Sequence, residues 1–173
     1  MNKIYFLLTF FLAVTVSGQS IQWSSAKKLE WSDFRNPVKP TKEQDVVAIT
    51  STGIKYVVAQ QKGSPNKVQL HISAVFSQKN SWKNTEGLTP EALDHEQGHF
   101  DIAEIYARKI KAEVRNRIIT KTDFDKNFKS LYDRNYKDYL EFQKKYDVET
   151  NRGLNTTEQQ KFRNLINRQL KTI

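Results

Sequence analysis

The chain opens on an almost unbroken apolar run from Ile4 to Val16, interrupted only by Thr9 and Thr15 and preceded by Lys3. It is shorter than the roughly 20 apolar residues a helix needs to cross a bilayer. A basic start, an apolar middle and a small-residue end at Val16-Ser17-Gly18 predict a secretory signal peptide over 1–18, cut before Gln19. No transmembrane anchor is then expected after cleavage. Beyond it the apolar period is two. Asp45–Gln60 reads as two short strands around Ser51-Thr52-Gly53, with Ile54, Tyr56 and Val58 alternating. Gly63-Ser64-Pro65-Asn66 marks a turn. After it Val68, Leu70, Ile72, Ala74 and Phe76 alternate with Gln69, His71 and Ser73, which puts His71 on a polar strand face. Leu29-Glu30-Trp31-Ser32 reads as a further strand.

From Thr89 the period becomes helical. Thr89 suits an N-cap, Pro90 the first helical position and Glu91 the positive end of the helix dipole, predicting a helix to about Ile119. A second helix is predicted over about Asp123–Lys145, with Phe124, Phe128, Leu131, Tyr132, Tyr139 and Phe142 as its buried stripe. A third opens at Asn155, with Glu158 at capping-box spacing, and buries Phe162, Leu165, Ile166 and Leu170. Strands first and helices after predict an α+β class: a small antiparallel sheet followed by three helices, in a single domain over 19–173.

Composition narrows the chemistry. Among 173 residues there is no cysteine, which excludes disulfide scaffolds, thiolate metal sites and cysteine nucleophiles. Ten Phe, seven Tyr and three Trp are enough aromatics for a packed core. With 28 Lys+Arg against 19 Asp+Glu the formal charge is +9. That suits anionic partners without choosing among them. No basic–aromatic RNA motif or DNA-binding pattern is present, so a nucleic-acid partner is not expected.

The chemistry-bearing stretch is His95-Glu96-Gln97-Gly98-His99, an H-E-x-x-H pattern inside the first predicted helix. Residues four apart differ by about 40° around a helix and lie one turn apart, so both imidazoles face one point. Two neutral imidazoles supply half of a tetrahedral zinc site. Glu96 beside them is placed as the general base, taking a proton from a metal-activated water and delivering it to a leaving amine. The expected cofactor is therefore zinc. The extended metzincin signature is excluded: it needs Gly at 102 and His at 105, both of which are Ile. It also needs a methionine turn, and Met1, the chain's one methionine, leaves with the signal.

The third ligand stays open at this level. Asp101 and Glu104 lie about 240° and 180° around the helix from His95 and point away from it. Glu113 returns to the right face but about 21 Å further along. His71 reaches the site only if its strand turns its polar face to the helix. Asp147 and Glu149, beyond the second predicted helix, are the candidate carboxylates, since a later segment completes such sites in His₂Glu enzymes.

Five segments together resemble a known family: Trp31-Ser32-Asp33-Phe34, Thr52-Gly53-Ile54-Lys55-Tyr56, Ser81-Trp82, HEQGHFDIAEIYAR at 95–108 and YDVETNRG at 146–153. The chain looks like a bacterial secreted domain-of-unknown-function family whose members are described as predicted zinc-dependent peptidases. The resemblance implies a zincin-like fold with the motif on the first long helix, His95 and His99 as metal ligands, and Glu96 as general base. In that family's pattern a histidine precedes the glycine of the last block, where this chain has Arg152. A guanidinium stays protonated and does not bind zinc. Either Glu149 or Asp147 substitutes, or the site is weakened or inactive.

These readings combine into an exported zinc-dependent hydrolase, a metallopeptidase acting on peptide or protein substrates in the periplasm or beyond. The alternative is a catalytically degenerate zincin-like module that binds anionic cell-envelope components. Its contacts would be basic residues such as Lys109, Lys111, Arg115, Arg117 and Lys121. The plainer reading of that basic stretch is a solvated helix face.

Overall fold

Two long strands form the platform. β3 (Thr52–Gln61) and β4 (Ser64–Ser77) make an antiparallel hairpin in which Ile54 faces Ala74 and Tyr56 faces Ile72. β1 (Ser20–Gln22) pairs antiparallel with the other side of β4, giving the order β1-β4-β3. β2 (Ala48–Ile49) and β5 (Trp82–Lys83) pair separately. The computed structural model describes residues 20–37 and 46–173. The expected signal peptide over 1–18, its cleavage point before Gln19, and Asp45 at the start of one predicted strand lie outside the described residues.

Three local expectations change. The hairpin turn is tighter than Gly63–Asn66: Lys62-Gly63 turns the chain, with Gly63 at φ 75° and a bulge between Gln60 and Gln61, so Pro65 and Asn66 belong to β4. The break between the first strands falls at Thr50-Ser51, leaving Thr52 and Gly53 in β3. Ser51 is pulled out of the ladder because its N–H donates to Ser81 Oγ (2.9 Å) while its carbonyl accepts from Ser77 N–H (2.8 Å). Leu29–Ser32 is not a strand. Trp31–Asp33 forms one 3₁₀ turn, closed by the Glu30 N–H donating to Asp33 (3.0 Å). A short polar side chain here offers the backbone a local partner, and the ladder loses the competition.

α1 (Pro90–Arg117) begins as predicted, with Thr89 Oγ1 accepting from the Ala92 N–H at 3.1 Å and Pro90 in first position. It lies across β4 and β3, and α3 (Lys129–Glu149) and α4 (Thr156–Thr172) pack on it as well. Ile102, Ala103, Ile105 and Ile110 are therefore fully buried, as expected of a helix covered on most sides. The second predicted helix starts earlier, at a short α2 (Lys121–Asp123) capped reciprocally by Thr120 and Asp123. It passes through a π-helical turn at Phe124–Phe128 and ends later, at Glu149. The class is α+β, with a small antiparallel sheet and three long helices. No helix among the described residues is long and apolar enough to cross a membrane.

Candidate metal centre

Helix geometry brings the first two candidate ligands together. His95 Nε2 and His99 Nε2, one turn apart on α1, lie 3.3 Å from each other. The late end of α3 supplies the third atom: Asp147 Oδ1 lies 3.2 Å from His95 Nε2 and 3.1 Å from His99 Nε2. Among the described residues these three form a group able to hold a metal ion. A tetrahedral zinc with bonds of about 2.0–2.1 Å separates its donors by about 3.3 Å. The observed triangle matches that spacing on every edge.

The two candidate carboxylates are separated by α3 itself. Because the helix runs to Glu149, Asp147 and Glu149 are two helical positions apart and point about 200° apart. Asp147 turns to the imidazoles, and Glu149 turns outward to Lys145 at 3.7 Å. His71 stays on the exposed face of β4 opposite Val57 and is not in the group. Asp101 is buried behind α1, accepting from Trp23 Nε1 (2.8 Å) and Gln97 Nε2 (2.7 Å). Glu104 pairs with Arg108 at 2.8 Å and Glu113 with Arg134. Of the basic residues, Lys109 sits over the Tyr106 ring, Arg117 reaches Glu113, and Lys121 reaches Asp125.

Two glutamines orient the imidazoles, and sequence reasoning missed both. His99 Nδ1 meets Gln143 Oε1 at 2.5 Å, and the amide nitrogen of Gln143 donates to the His99 carbonyl at 2.9 Å. His95 Nδ1 meets Gln159 Oε1 at 3.1 Å, while Gln159 Nε2 donates to the Tyr146 hydroxyl at 2.7 Å. That hydroxyl in turn donates to the His95 carbonyl. With both amide nitrogens committed elsewhere, each glutamine offers its oxygen, so each imidazole carries its proton on Nδ1 and turns a lone pair inward from Nε2. Gln143 was findable in principle: it stands one turn before Asp147 and so shares its face. Gln159 lies on a different helix and gave no local signal. Replacing Gln143 by Leu should weaken zinc binding about 10–100-fold, as outer-sphere losses do, with the helical fold retained. A competitive zinc-chelator titration reads this, and unchanged affinity would remove the orienting role.

Packing holds the site rigidly. The Tyr146 ring stacks on His95 (4.6 Å between centroids, 19°) and meets His99 edge-on. Gly98 leaves room for it, since a β-carbon there would lie 2.3 Å from the Tyr146 oxygen. After α3 the chain makes three successive left-handed residues, Asn151, Arg152 and Gly153, at φ 49°, 53° and 85°. For an arginine that conformation costs about 1 kcal/mol or more. It is held by Arg152 N–H donating to the Asp147 carbonyl (2.8 Å) and Asn155 N–H donating to the Thr150 carbonyl (2.8 Å). It brings Gly153 flat against His95, where a β-carbon would stand 2.9 Å from the ring.

The electrostatics ask for a cation. Burial alone would lower the His99 pKa, but the hydrogen bond and charge of Asp147, with the charge of Glu96, raise it above the ordinary value. Burial would raise the carboxyl of Asp147, yet the bonds from His95 and His99 hold it well below the usual carboxylate range. Both shifts have one cause: the Asp147 carboxylate favours a positive charge at the imidazoles it faces, which a proton on Nε2 or a bound cation would supply. Glu96, also buried, accepts no hydrogen bond among the described residues. It lines the same cleft as the His pair, a space of about 750 Å³ walled on one side by Val46–Thr52.

No curated protein and no solved structure matches the chain. Residues 17–153 match a family model described as bacterial protein of unknown function (DUF922), a span that holds His95, Glu96, His99, Gln143, Asp147 and Gly153 and stops short of α4. The chain belongs to this DUF922 family of bacterial proteins of unknown function.

Proposed function

We propose that the protein is an exported zinc-dependent hydrolase of zincin type, a metallopeptidase. The observation that carries the reading is the triangle of His95 Nε2, His99 Nε2 and Asp147 Oδ1, with edges of 3.1–3.3 Å and inward lone pairs. Two imidazoles and one carboxylate suit zinc, whereas magnesium and calcium favour all-oxygen shells. Three protein ligands leave a tetrahedral ion one open position, as in catalytic rather than structural sites. Bound there, zinc supplies Lewis acidity that activates water near neutral pH and polarises a carbonyl.

The rest falls to the chain's own groups. Glu96 is one residue from a ligand, opens on the cleft and has no competing hydrogen bond among the described residues. It is placed to take a proton from the attacking water and return it to the leaving amine. The cleft wall at Val46–Ser51 contains β2, which pairs with β5 on one edge and has no strand partner on the other among the described residues. An extended peptide can add to such an edge through its main chain. Thr50 Oγ1, buried in that wall without a partner among the described residues, offers a further hydrogen bond. The degenerate-module alternative rests on Arg152 in place of a ligand and on the chain's basic residues; Asp147 beside the His pair offers a third candidate ligand that does not involve Arg152.

The purified protein is expected to carry one zinc and to cleave a quenched fluorescent peptide library. Phenanthroline should stop turnover and added zinc restore it. Protein purified and reconstituted without bound zinc, or turnover indifferent to chelation, would overturn the reading.

A further inference from the structure

Helix α4 lays two polar side chains onto α1, one turn apart. Gln159 meets His95 Nδ1, and Arg163 follows four residues on, about 40° around the helix and about 6 Å along it. The Arg163 side chain is only 14% exposed. Its guanidinium donates to the backbone carbonyl of Asp94 and pairs with the Asp94 carboxylate. Its other end nitrogen faces Asp101 Oδ2 at 3.5 Å. Asp94 and Asp101 are seven residues apart, so they share one stripe of α1, about 10.5 Å from end to end. The guanidinium therefore bridges two turns of α1, starting on the residue directly before His95.

The apolar anchors of α4 act differently. Phe162 and Ile166 are buried, and the Phe162 ring packs on Phe142 and Tyr146. Apolar burial is non-directional: it decides which face of α4 turns inward and tolerates small shifts along α1. There is room for such a shift. A space of about 410 Å³ lies where the start of α1 meets α4, lined by Glu91, Asp94, Gln159 and Arg163 among others. A guanidinium is directional, because its donors are fixed in a planar fork and its bonds to carboxylates are charge-assisted. Asp101 gives it a fixed counterpart: this carboxylate is fully buried and also accepts from Trp23 Nε1 (2.8 Å) and Gln97 Nε2 (2.7 Å).

We propose that Arg163 is a positioning residue of the metal site: by gripping Asp94 and Asp101 it sets the height of α4 on α1, and so holds the Gln159 oxygen on His95 Nδ1. The proposal rests on the reading of His95, His99 and Asp147 as a zinc site. It makes α4 part of that site although none of the three candidate ligands comes from α4. A slide of about 1 Å would stretch the 3.1 Å contact of Gln159 with His95 beyond hydrogen-bond range and free the imidazole to turn.

The test is a mutant cycle on zinc affinity, read by competitive chelator titration. Removing Arg163 alone would strip the buried Asp101 of an ion-pair partner, so the neutral variant combines Arg163→Met with Asp101→Asn. Asparagine keeps an oxygen for Trp23 and Gln97. Gln159→Leu should weaken zinc binding about 10–100-fold, and the neutral variant should lose about tenfold. Adding Gln159→Leu to the neutral variant should cost no more than Gln159→Leu costs alone, since both changes break the same contact. Arg163→Lys keeps a charge beside Asp101 without the fork and should show a smaller loss, coupled to Gln159 in the same way. Its cycle decides the matter if the neutral variant does not fold. A purely structural role would lower the melting temperature and leave the affinity of the folded protein unchanged. That result, or losses that multiply, overturns the role of Arg163 and leaves the metal reading standing. Wild-type protein that binds no zinc overturns the metal reading and this proposal together.

Discussion

Replacing Glu96 by Gln is expected to lower peptide turnover by about 10²–10⁴-fold while zinc content and melting temperature stay at their wild-type values. The substitution keeps the side chain's shape and removes only its ability to hold a proton. Glu96 accepts no hydrogen bond among the described residues, so the substitution leaves no partner among them unsatisfied. It is not one of the three groups facing the metal position, so the ligand triangle is unchanged. The loss corresponds to about 3–5 kcal/mol of transition-state stabilisation. It should fall on kcat and kcat/KM alike, since proton transfer is a property of the transition state and not of peptide binding. Zinc-loaded Glu96→Gln protein that turns over peptides at the wild-type rate would remove Glu96 as the base and the zincin-type mechanism with it.

What could be read beforehand divides along local and long-range lines. Helix starts were legible because a cap is a local event: Thr89 and Asn155 accept from backbone N–H groups three residues on, as their spacing implied. The pairing of His95 with His99 was legible because it follows from helix periodicity alone. The end of α3 was not. Helix propensity weakens after Lys145, and the extension to Glu149 is held by packing of Tyr146, which is almost wholly buried against His95 and Phe162. That extension decides which carboxylate faces the imidazoles, so a small error at a helix end left Asp147 and Glu149 equivalent. Leu29–Ser32 was misread because Asp33 closes a turn that hydrophobic pattern does not register. Gln143 and Gln159 look like ordinary polar helix residues until three helices are assembled around the His pair. Arg152 read as the loss of a ligand, because nothing local shows that its left-handed loop carries it to the cleft.

Asp147 and Glu149 also give the second large expected effect. Asp147→Asn should weaken zinc binding by more than 100-fold, beyond the range of outer-sphere changes, while Glu149→Gln leaves it unaltered. Asparagine keeps the volume but offers a neutral carbonyl in place of the anionic oxygen now 3.1–3.2 Å from both imidazoles. Among the described residues Glu149 reaches Lys145, an exposed pair whose loss should be barely measurable. The Asp147 side chain is 44% exposed, so its replacement threatens the fold far less than that of His95, at 4%. Thermal stability reports the difference through linkage. Free zinc at 100 times the wild-type Kd stabilises the folded state by about 2.7 kcal/mol, a rise of roughly 5–10 °C in melting temperature for a chain of this size. The same zinc concentration would give Asp147→Asn no more than about 0.4 kcal/mol, a shift near 1 °C. Glu149→Gln should keep the full rise. The reverse pattern would make Glu149 the ligand and require the end of α3 to turn by about half a helical revolution. Wild-type shifts in both variants would leave two histidines as the whole of the protein's contribution, too few for a closed or a catalytic zinc site.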